Sequence, residues 1–167
     1  MKTQIALLFT LCLFVFSCGG AGNQTGNDSA SDYSTPSPNL GDVAREITLE
    51  LGSNDQMRYD KSLLRVKEGQ QVTLVLTHTG EMSKSLMGHN FVLLKKGTDI
   101  DRFAAEAQLA VSTDYIPESD AIIAHTEMIG GGETTRVVFD APAKGSYDYI
   151  CTFPAHYGLM RGKFLVE

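Results

Sequence analysis

The chain contains, at residues 145–160, the stretch GSYDYICTFPAHYGLM. Alternation along its first seven residues places Tyr147, Tyr149 and Cys151 on one face of a β-strand. Pro154 cannot donate a main-chain hydrogen bond to a neighbouring strand, so the strand ends before it. Cys151 therefore lies at the end of a strand, where a short loop begins.

The rest of the chain from residue 45 onward has the same β-strand character. Short segments alternate between apolar and polar residues or are rich in β-branched residues, and turn signals such as Glu68-Gly69 separate them. Many short strands at close spacing are typical of a β-sandwich or a barrel. One helix is predicted at residues 99–110, where Asp99 precedes an alanine-rich run. The predicted strands cover residues 47–51, 63–67, 72–78, 91–94, 122–125, 134–139, 147–151 and 163–166.

Composition and charge limit the classes of function. A chain of 167 residues with 43% hydrophobic residues can form one domain with appendages, and two independent cores are not expected. The formal net charge of −6 and the lack of a basic stripe argue against a surface for nucleic acid or for anionic membranes. We therefore expect one functional domain that binds no nucleic acid, and separately we expect it to be a monomer.

The first 17 residues are predicted to be a signal peptide. Lys2 supplies a positive charge, and an apolar run follows at residues 5–16. The sequence VFSC at residues 15–18 resembles the lipobox of bacterial lipoproteins, which implies cleavage before Cys18 and lipidation of that cysteine. The alternative is an ordinary signal peptide cleaved elsewhere, with Cys18 incidental. Both interpretations predict export, and the lipobox predicts a lipid anchor on a bacterial membrane, facing the periplasm or the cell surface.

Residues 18–44 are predicted to be the lipidated cysteine and a flexible linker. They consist mainly of Gly, Ser, Asn, Asp, Thr and Pro, so burial cannot offset their conformational entropy. About 26 such residues have an r.m.s. span of roughly 28 Å, which lets a domain diffuse near its anchor. The functional domain is predicted at residues 45–167.

Cys151 is the one thiol left in that domain. Cys12 is removed with the signal peptide and Cys18 is the lipidation candidate. An unpaired thiol in an oxidising compartment is a liability unless it is buried or bound. His156 and Met160 follow Cys151 within one short loop. Thiolate and thioether are soft ligands and imidazole is borderline, and this combination selects copper over magnesium, calcium or manganese.

A second histidine completes a copper donor set. His89 lies in MGHN just before the apolar strand FVLL, and Gly88 beside it allows close approach of the backbone. Two histidines, one cysteine and a weak axial methionine are the donors of blue-copper electron-transfer sites. Taken singly, Cys151 could be a small buried hydrophobe, His156 a surface residue and Met160 core packing. Taken together, the residues predict a bound copper ion.

Four motifs across residues 46–167 resemble the azurin family of blue copper proteins. The resemblance implies the cupredoxin fold, an all-β Greek-key β-sandwich with one inserted short helix and one type 1 copper. The motifs are NDQMRY at residues 54–59, LMGHNFVL at 86–93, IIAHTEMIGGGE at 122–133 and CTFPAHYGLMRGKF at 151–164. The metal contacts that the resemblance implies are the side chains of His89, Cys151, His156 and Met160 and the main-chain carbonyl of Gly88.

Other residues are expected to support the site. Asn90 and Phe153 are expected beside the ligands. The Asn90 amide is expected to join the two ligand loops, which are the segment around Gly88 and His89 and the loop from Cys151 to Met160. His78 is expected near the site as a structural residue, and His125 at a strand end or on the surface. Ala155 stands where the family has glycine. The resemblance also places an exposed apolar patch around His156 as the docking surface for a redox partner, here Met57, Met82, Met87 and Pro154.

These features predict a carrier of single electrons outside the cytoplasm, with transient partners such as cytochromes or copper oxidoreductases. Two axial contacts leave no open coordination position for a substrate, which argues against an enzyme. A copper carrier or storage protein is the principal alternative, because a bound metal does not by itself show that electrons move. A nucleophilic pair of Cys151 and His156 is a weaker alternative, since no orienting third group or oxyanion site accompanies it.

Overall fold

The computed structural model describes residues 45–167. The predicted signal peptide and linker therefore lie outside the described residues. Within that part of the chain, the helices are α1 (Lys84–Met87) and α2 (Ile100–Leu109), and a short 3-10 helix covers Val111–Thr113. The strands are β1 (Glu46–Asn54), β2 (Arg58–Tyr59), β3 (Leu63–Val66), β4 (Gln71–His78), β5 (Val92–Leu94), β6 (Ile122–His125), β7 (Thr134–Asp140), β8 (Gly145–Ile150) and β9 (Arg161–Val166).

The strands form two sheets, with the orders β2-β1-β4-β7 and β3-β9-β8-β5-β6. The pairs β1/β4 and β3/β9 are parallel, and the other pairs are antiparallel. One buried cluster contains Leu51 and Leu74 from the first sheet and Leu93 and Phe164 from the second, so the sheets pack face to face. The predicted all-β sandwich with an inserted helix is confirmed.

Strand β4 shows why the chain folds in this way. Its sequence QVTLVLTH alternates strictly, and the inward positions Val72, Leu74, Leu76 and His78 are all fully buried. Burying one valine or leucine side chain contributes about 1.5–3 kcal/mol. Moving the strand by one residue would expose all three aliphatic side chains, so the hydrophobic pattern fixes the register.

Helix α2 confirms the helical prediction. The Asp99 side chain accepts a hydrogen bond from the main-chain N–H of Arg102 at 3.1 Å, which caps the first turn. The helix buries Phe103 and two alanines, and Phe103 packs in a second, smaller cluster with Val92 and Ile150. No helix among residues 45–167 is long and apolar enough to cross a membrane.

Three elements are missing from the sequence prediction: strand β2, helix α1 and the short 3-10 helix at Val111–Thr113. Strand β2 has two residues, which is too short to show alternation, and it forms because Tyr59 pairs with Ser53 of β1. Helix α1 is a single turn of four residues without a buried face. None of the three is long enough to contain a period that a sequence pattern could show.

Candidate metal centre

The pairing of β5 with β8 creates the site. These strands are antiparallel, with Val92 opposite Ile150, so the segment before β5 and the segment after β8 lie at the same end of the sheet. The first segment contains Gly88, His89 and Asn90. The second begins with Cys151, which lies one residue beyond the end of β8.

The loop from Cys151 to Met160 folds back on itself. The main-chain N–H of Cys151 donates to the carbonyl of Met160 at 2.9 Å, which closes the loop at its base. Inside it, the N–H of His156 donates to the carbonyl of Phe153 at 3.0 Å, and the N–H of Met160 donates to the carbonyl of His156 at 2.8 Å. Met160 is fully buried directly before β9. The first, middle and last residues of the loop are thereby held together.

Three predicted ligands converge in the interior. One potential ligand atom from each of His89, Cys151 and His156 lies within 4.8 Å of the others. His156 Nδ1 is 3.7 Å from Cys151 Sγ, and the Gly88 carbonyl oxygen is 3.9 Å from the same sulfur. His89 and Cys151 are fully buried, and His156 is 3% exposed.

The protonation of His89 follows from its hydrogen bond. Its Nε2 lies 2.9 Å from the Asn54 carbonyl, which can only accept, so Nε2 holds the hydrogen and donates it. Nδ1 is then a lone-pair acceptor, and it is buried without a hydrogen-bond partner. An unpaired buried acceptor is costly, and a metal ion at this position removes the cost. The donor set therefore fits a soft or borderline metal ion such as copper.

Burial keeps both imidazoles neutral. It lowers the pKa of His89 to about 4, and it lowers the pKa of His156 to about 4, with nearby His89 and His78 acting in the same direction. At neutral pH each ring therefore has a free lone pair. Burial also raises the pKa of Cys151 to about 12, whereas the main-chain N–H groups of Asn90 and Phe153 lower it by stabilising the thiolate. A metal cation would have to displace the thiol proton on binding.

The lack of a side chain at Gly88 lets its main chain, including its carbonyl, lie close to neighbouring residues. A Cβ at this position would lie 2.6 Å from the Lys84 carbonyl oxygen, 2.9 Å from the Phe153 ring and 3.0 Å from the Met128 sulfur. No other residue fits there without a shift of main-chain atoms.

Asn90 and Phe153 both contact this region. The Asn90 side chain donates to Thr152 Oγ1 at 2.7 Å and accepts from the Thr152 N–H at 2.9 Å, and both residues are buried. These bonds join the two ligand loops. The Phe153 ring packs against His156, with the ring centroids 4.7 Å apart.

The remaining histidines lie where the sequence predicts them. His78 is buried and stacks on His89, with the ring centroids 4.4 Å apart. Its Nδ1 accepts from the Gly80 N–H at 3.0 Å, so its Nε2 donates to the Met87 carbonyl at 3.0 Å. Both nitrogens are occupied, so neither is free for a metal. His125 is exposed at the end of β6.

The predicted docking residues differ in exposure. Met82 is 45% exposed, whereas Met57, Met87 and Pro154 are half-buried. Two residues that the sequence reasoning missed are more exposed than any of these: Leu86 at 70% and Leu159 at 53%. Both could have been proposed from the sequence, because Leu86 lies two residues before Gly88 and Leu159 lies directly before Met160.

A model of copper-binding proteins of the plastocyanin/azurin family matches residues 45–167. The chain belongs to this family. Azurin-1 of Alcaligenes xylosoxydans xylosoxydans is 40% identical over 123 residues, covering 70% of this chain and 95% of that protein. Auracyanin-A of Chloroflexus aurantiacus is 34% identical over 167 residues, covering 98% of this chain and 94% of that protein. Outer membrane protein H.8 of Neisseria gonorrhoeae is 41% identical over 116 residues, covering 66% of this chain and 62% of that protein.

A solved structure shows the same fold. It is that of auracyanin A, described as a blue copper protein from Chloroflexus aurantiacus, with a TM-score of 0.66 and 35% identity, covering 73% of this chain and 99% of that one. The predicted cupredoxin fold is therefore confirmed. Family membership and the buried cluster of His89, Cys151 and His156 together make this a blue copper protein of electron transfer, with copper as its cofactor.

Proposed function

We propose that this protein carries single electrons between redox partners outside the cytoplasm, using one copper ion bound by the two loops. Bound copper supplies the one-electron couple between its +2 and +1 states. In this proposal Cys151, His89 and His156 would bind the ion most strongly, and Met160 and the Gly88 carbonyl would make weaker contacts. The observation that carries the assignment is the buried, unpartnered Nδ1 of His89 beside the free thiol.

Several hydrogen bonds hold the ligands in place without a metal. The Asn54 carbonyl orients His89, the Asn90–Thr152 pair joins the loops, and the bond from Cys151 to Met160 closes the longer loop. A ligand set held by the protein changes little between oxidation states, so little reorganisation opposes electron transfer. Rigid support of this kind favours a redox role over copper delivery, which needs ligands that release the ion.

Burial of the ligands also supports a non-enzymatic role. His89, Cys151 and Met160 are fully buried, so a substrate has no open route to a metal held between them. The same burial slows exchange of the ion with solvent, which disfavours a carrier or storage function. Electron self-exchange and copper loss to a chelator are the two measurements that separate these functions.

His156 is proposed as the point where electrons leave. Among the four side-chain ligands it alone has any exposure, and its Nδ1 faces Cys151, so the opposite edge of the ring is the side that can approach a partner. Apolar residues of the connection between β4 and β5, of the loop after Cys151 and of the turn between β1 and β2 would provide a docking surface for transient contact with a cytochrome or a copper oxidoreductase. This surface consists of Met57, Met82, Leu86, Met87, Pro154 and Leu159.

Export and a lipid anchor at Cys18 are proposed from the N-terminal sequence. The support is the lipobox-like VFSC and the polar linker that follows it. A relative named as an outer membrane protein agrees with a location at the cell envelope. In this arrangement the anchor would limit the domain to partners near one membrane.

The experiment is addition of copper(II) to the apoprotein, followed by visible and electron paramagnetic resonance spectroscopy. We expect an intense blue thiolate-to-copper band and a small copper hyperfine splitting, and loss of both in Cys151→Ser. Retention of the blue band in Cys151→Ser would refute the ligand assignment. Fast copper loss to a chelator combined with slow self-exchange would refute electron transfer in favour of copper delivery.

A further inference from the structure

The hairpin of strands β1 and β2 holds the first ligand loop at two points. At the end of β1, the Asn54 carbonyl accepts a hydrogen bond from His89 Nε2 at 2.9 Å. In β2, the Tyr59 hydroxyl donates to the Asn90 carbonyl. Because Tyr59 pairs with Ser53, the hydroxyl is positioned by the sheet and not by a free loop.

The contact from Tyr59 completes the fixation of Asn90. The side-chain amide of Asn90 is held by Thr152. The main-chain N–H of Asn90 stabilises negative charge on the Cys151 sulfur. The carbonyl of the same residue is held by Tyr59, and Asn90 is fully buried. A residue bound through its side chain, its N–H and its carbonyl has little freedom to rotate.

We propose that Tyr59 is a positioning residue that sets the reduction potential of the copper site. By holding the Asn90 main chain, its hydroxyl keeps the Asn90 N–H directed at the Cys151 sulfur. An N–H donor withdraws electron density from a thiolate ligand, and hydrogen bonding around this sulfur is one of the means by which proteins tune a blue copper site. Weaker donation by the sulfur disfavours copper(II), so the contact raises the potential. This inference rests on the proposed ligand role of Cys151.

The Tyr59 hydroxyl keeps its proton and therefore remains a hydrogen-bond donor. Burial raises the pKa of Tyr59 well above its usual value of 10, and negative charge on Cys151 acts in the same direction. The phenol therefore stays protonated at every pH at which the protein works.

The chain contains a matched control. Tyr149 is fully buried, its ring packs against Tyr59 with the centroids 5.5 Å apart, and its hydroxyl donates to the Lys61 carbonyl at 2.6 Å. Tyr59→Phe and Tyr149→Phe each remove one phenol-to-carbonyl hydrogen bond and keep the ring. Only the first removes a contact with the ligand loop.

The test is voltammetry of both copper-loaded variants, with hydrogen exchange of the Asn90 amide measured in the apoproteins. We expect Tyr59→Phe to stay blue, to have a lower reduction potential than wild type, and to lose exchange protection at Asn90. We expect Tyr149→Phe to keep the wild-type potential and protection, although both variants lose stability.

An unchanged potential in Tyr59→Phe, or an equal shift in both variants, would overturn the proposal and leave the hydroxyl a purely structural role. If Tyr59→Phe folds too poorly to hold copper, unchanged exchange protection of Asn90 in its folded apoprotein at low temperature also overturns it, and lost protection supports it. Failure of the proposed function is distinguishable, because it appears in the wild type as a missing blue band.

Discussion

Removal of the Asn90 side chain tests how far the site depends on the link between its loops. Asn90→Ala deletes two hydrogen bonds, of 2.7 and 2.9 Å, and leaves the N–H and hydroxyl of Thr152 buried without these partners. A buried group left unsatisfied costs about 1–3 kcal/mol. For two groups, with partial relief by relaxation, we expect a loss of about 2–4 kcal/mol in the free energy of unfolding.

That loss is large relative to the total free energy of unfolding. Domains of this kind have unfolding free energies of about 5–15 kcal/mol. A loss of about 3 kcal/mol corresponds to a fall of about 10 °C in the melting temperature. Asn90→Ala is therefore expected to remain folded at room temperature and to be clearly distinguishable from wild type.

The assay is urea unfolding of the apoprotein, followed by circular dichroism, with Thr152→Val as the matched variant. Valine keeps the main-chain N–H that donates to Asn90 Oδ1 but removes the hydroxyl, so its cost should be about half that of Asn90→Ala. A double-mutant cycle of the two substitutions should give a coupling of about 1–2 kcal/mol. A loss below about 1 kcal/mol for Asn90→Ala, or no coupling, would refute the inference that this pair ties the loops together.

Four further predictions concern the ligands, the anchor and the loop. Met160→Leu should keep the blue colour and raise the reduction potential measured by voltammetry, because a weak donor to copper(II) is lost. Met82→Lys should slow electron self-exchange, measured by NMR line broadening, through charge repulsion and lost apolar contact, with an unchanged visible spectrum. Cys18→Ala should prevent lipidation and leave the protein either unprocessed, with its signal peptide still attached, or released into the aqueous phase, as measured by mass spectrometry and detergent phase partitioning, with copper binding intact. Ala155→Gly should raise the unfolding free energy by about 0.5–1 kcal/mol, because Ala155 has a φ of 66° that glycine adopts without strain.

Each of these has a contrary result. A colourless Met160→Leu protein would make the methionine a strong ligand, and wild-type self-exchange in Met82→Lys would move the docking surface elsewhere. Wild-type protein that partitions into the aqueous phase would refute the lipid anchor. A less stable Ala155→Gly protein would show that the chain entropy of glycine outweighs the strain at this position.

Local features of the fold could be predicted from the sequence because they have a local cause. Alternation in QVTLVLTH predicts the strand and its buried face, and Asp99 before an alanine-rich run predicts the helix and its cap. The copper chemistry is also local, since Cys151, His156 and Met160 lie in one short loop and their donor types select the metal. None of these features requires knowledge of a distant residue.

The exposure of the methionines shows where local information ends. Met160 is fully buried and Met82 is exposed, although the side chains are identical and both lie in short loops without a periodic pattern. Packing of the two sheets decides which of them faces the interior.

The candidate donor residues, the strand pattern and the family motifs can be predicted from the sequence alone, because they depend on residue type and near spacing. The identity of the free nitrogen of His89 is visible only in the folded protein, since it depends on a carbonyl 35 residues away. The bonds that join Asn90 to Thr152 and to Tyr59 cross 62 and 31 residues, respectively. Hydrogen bonds between distant residues form where paired strands and packed sheets place their ends side by side, and no periodicity in the chain encodes that placement.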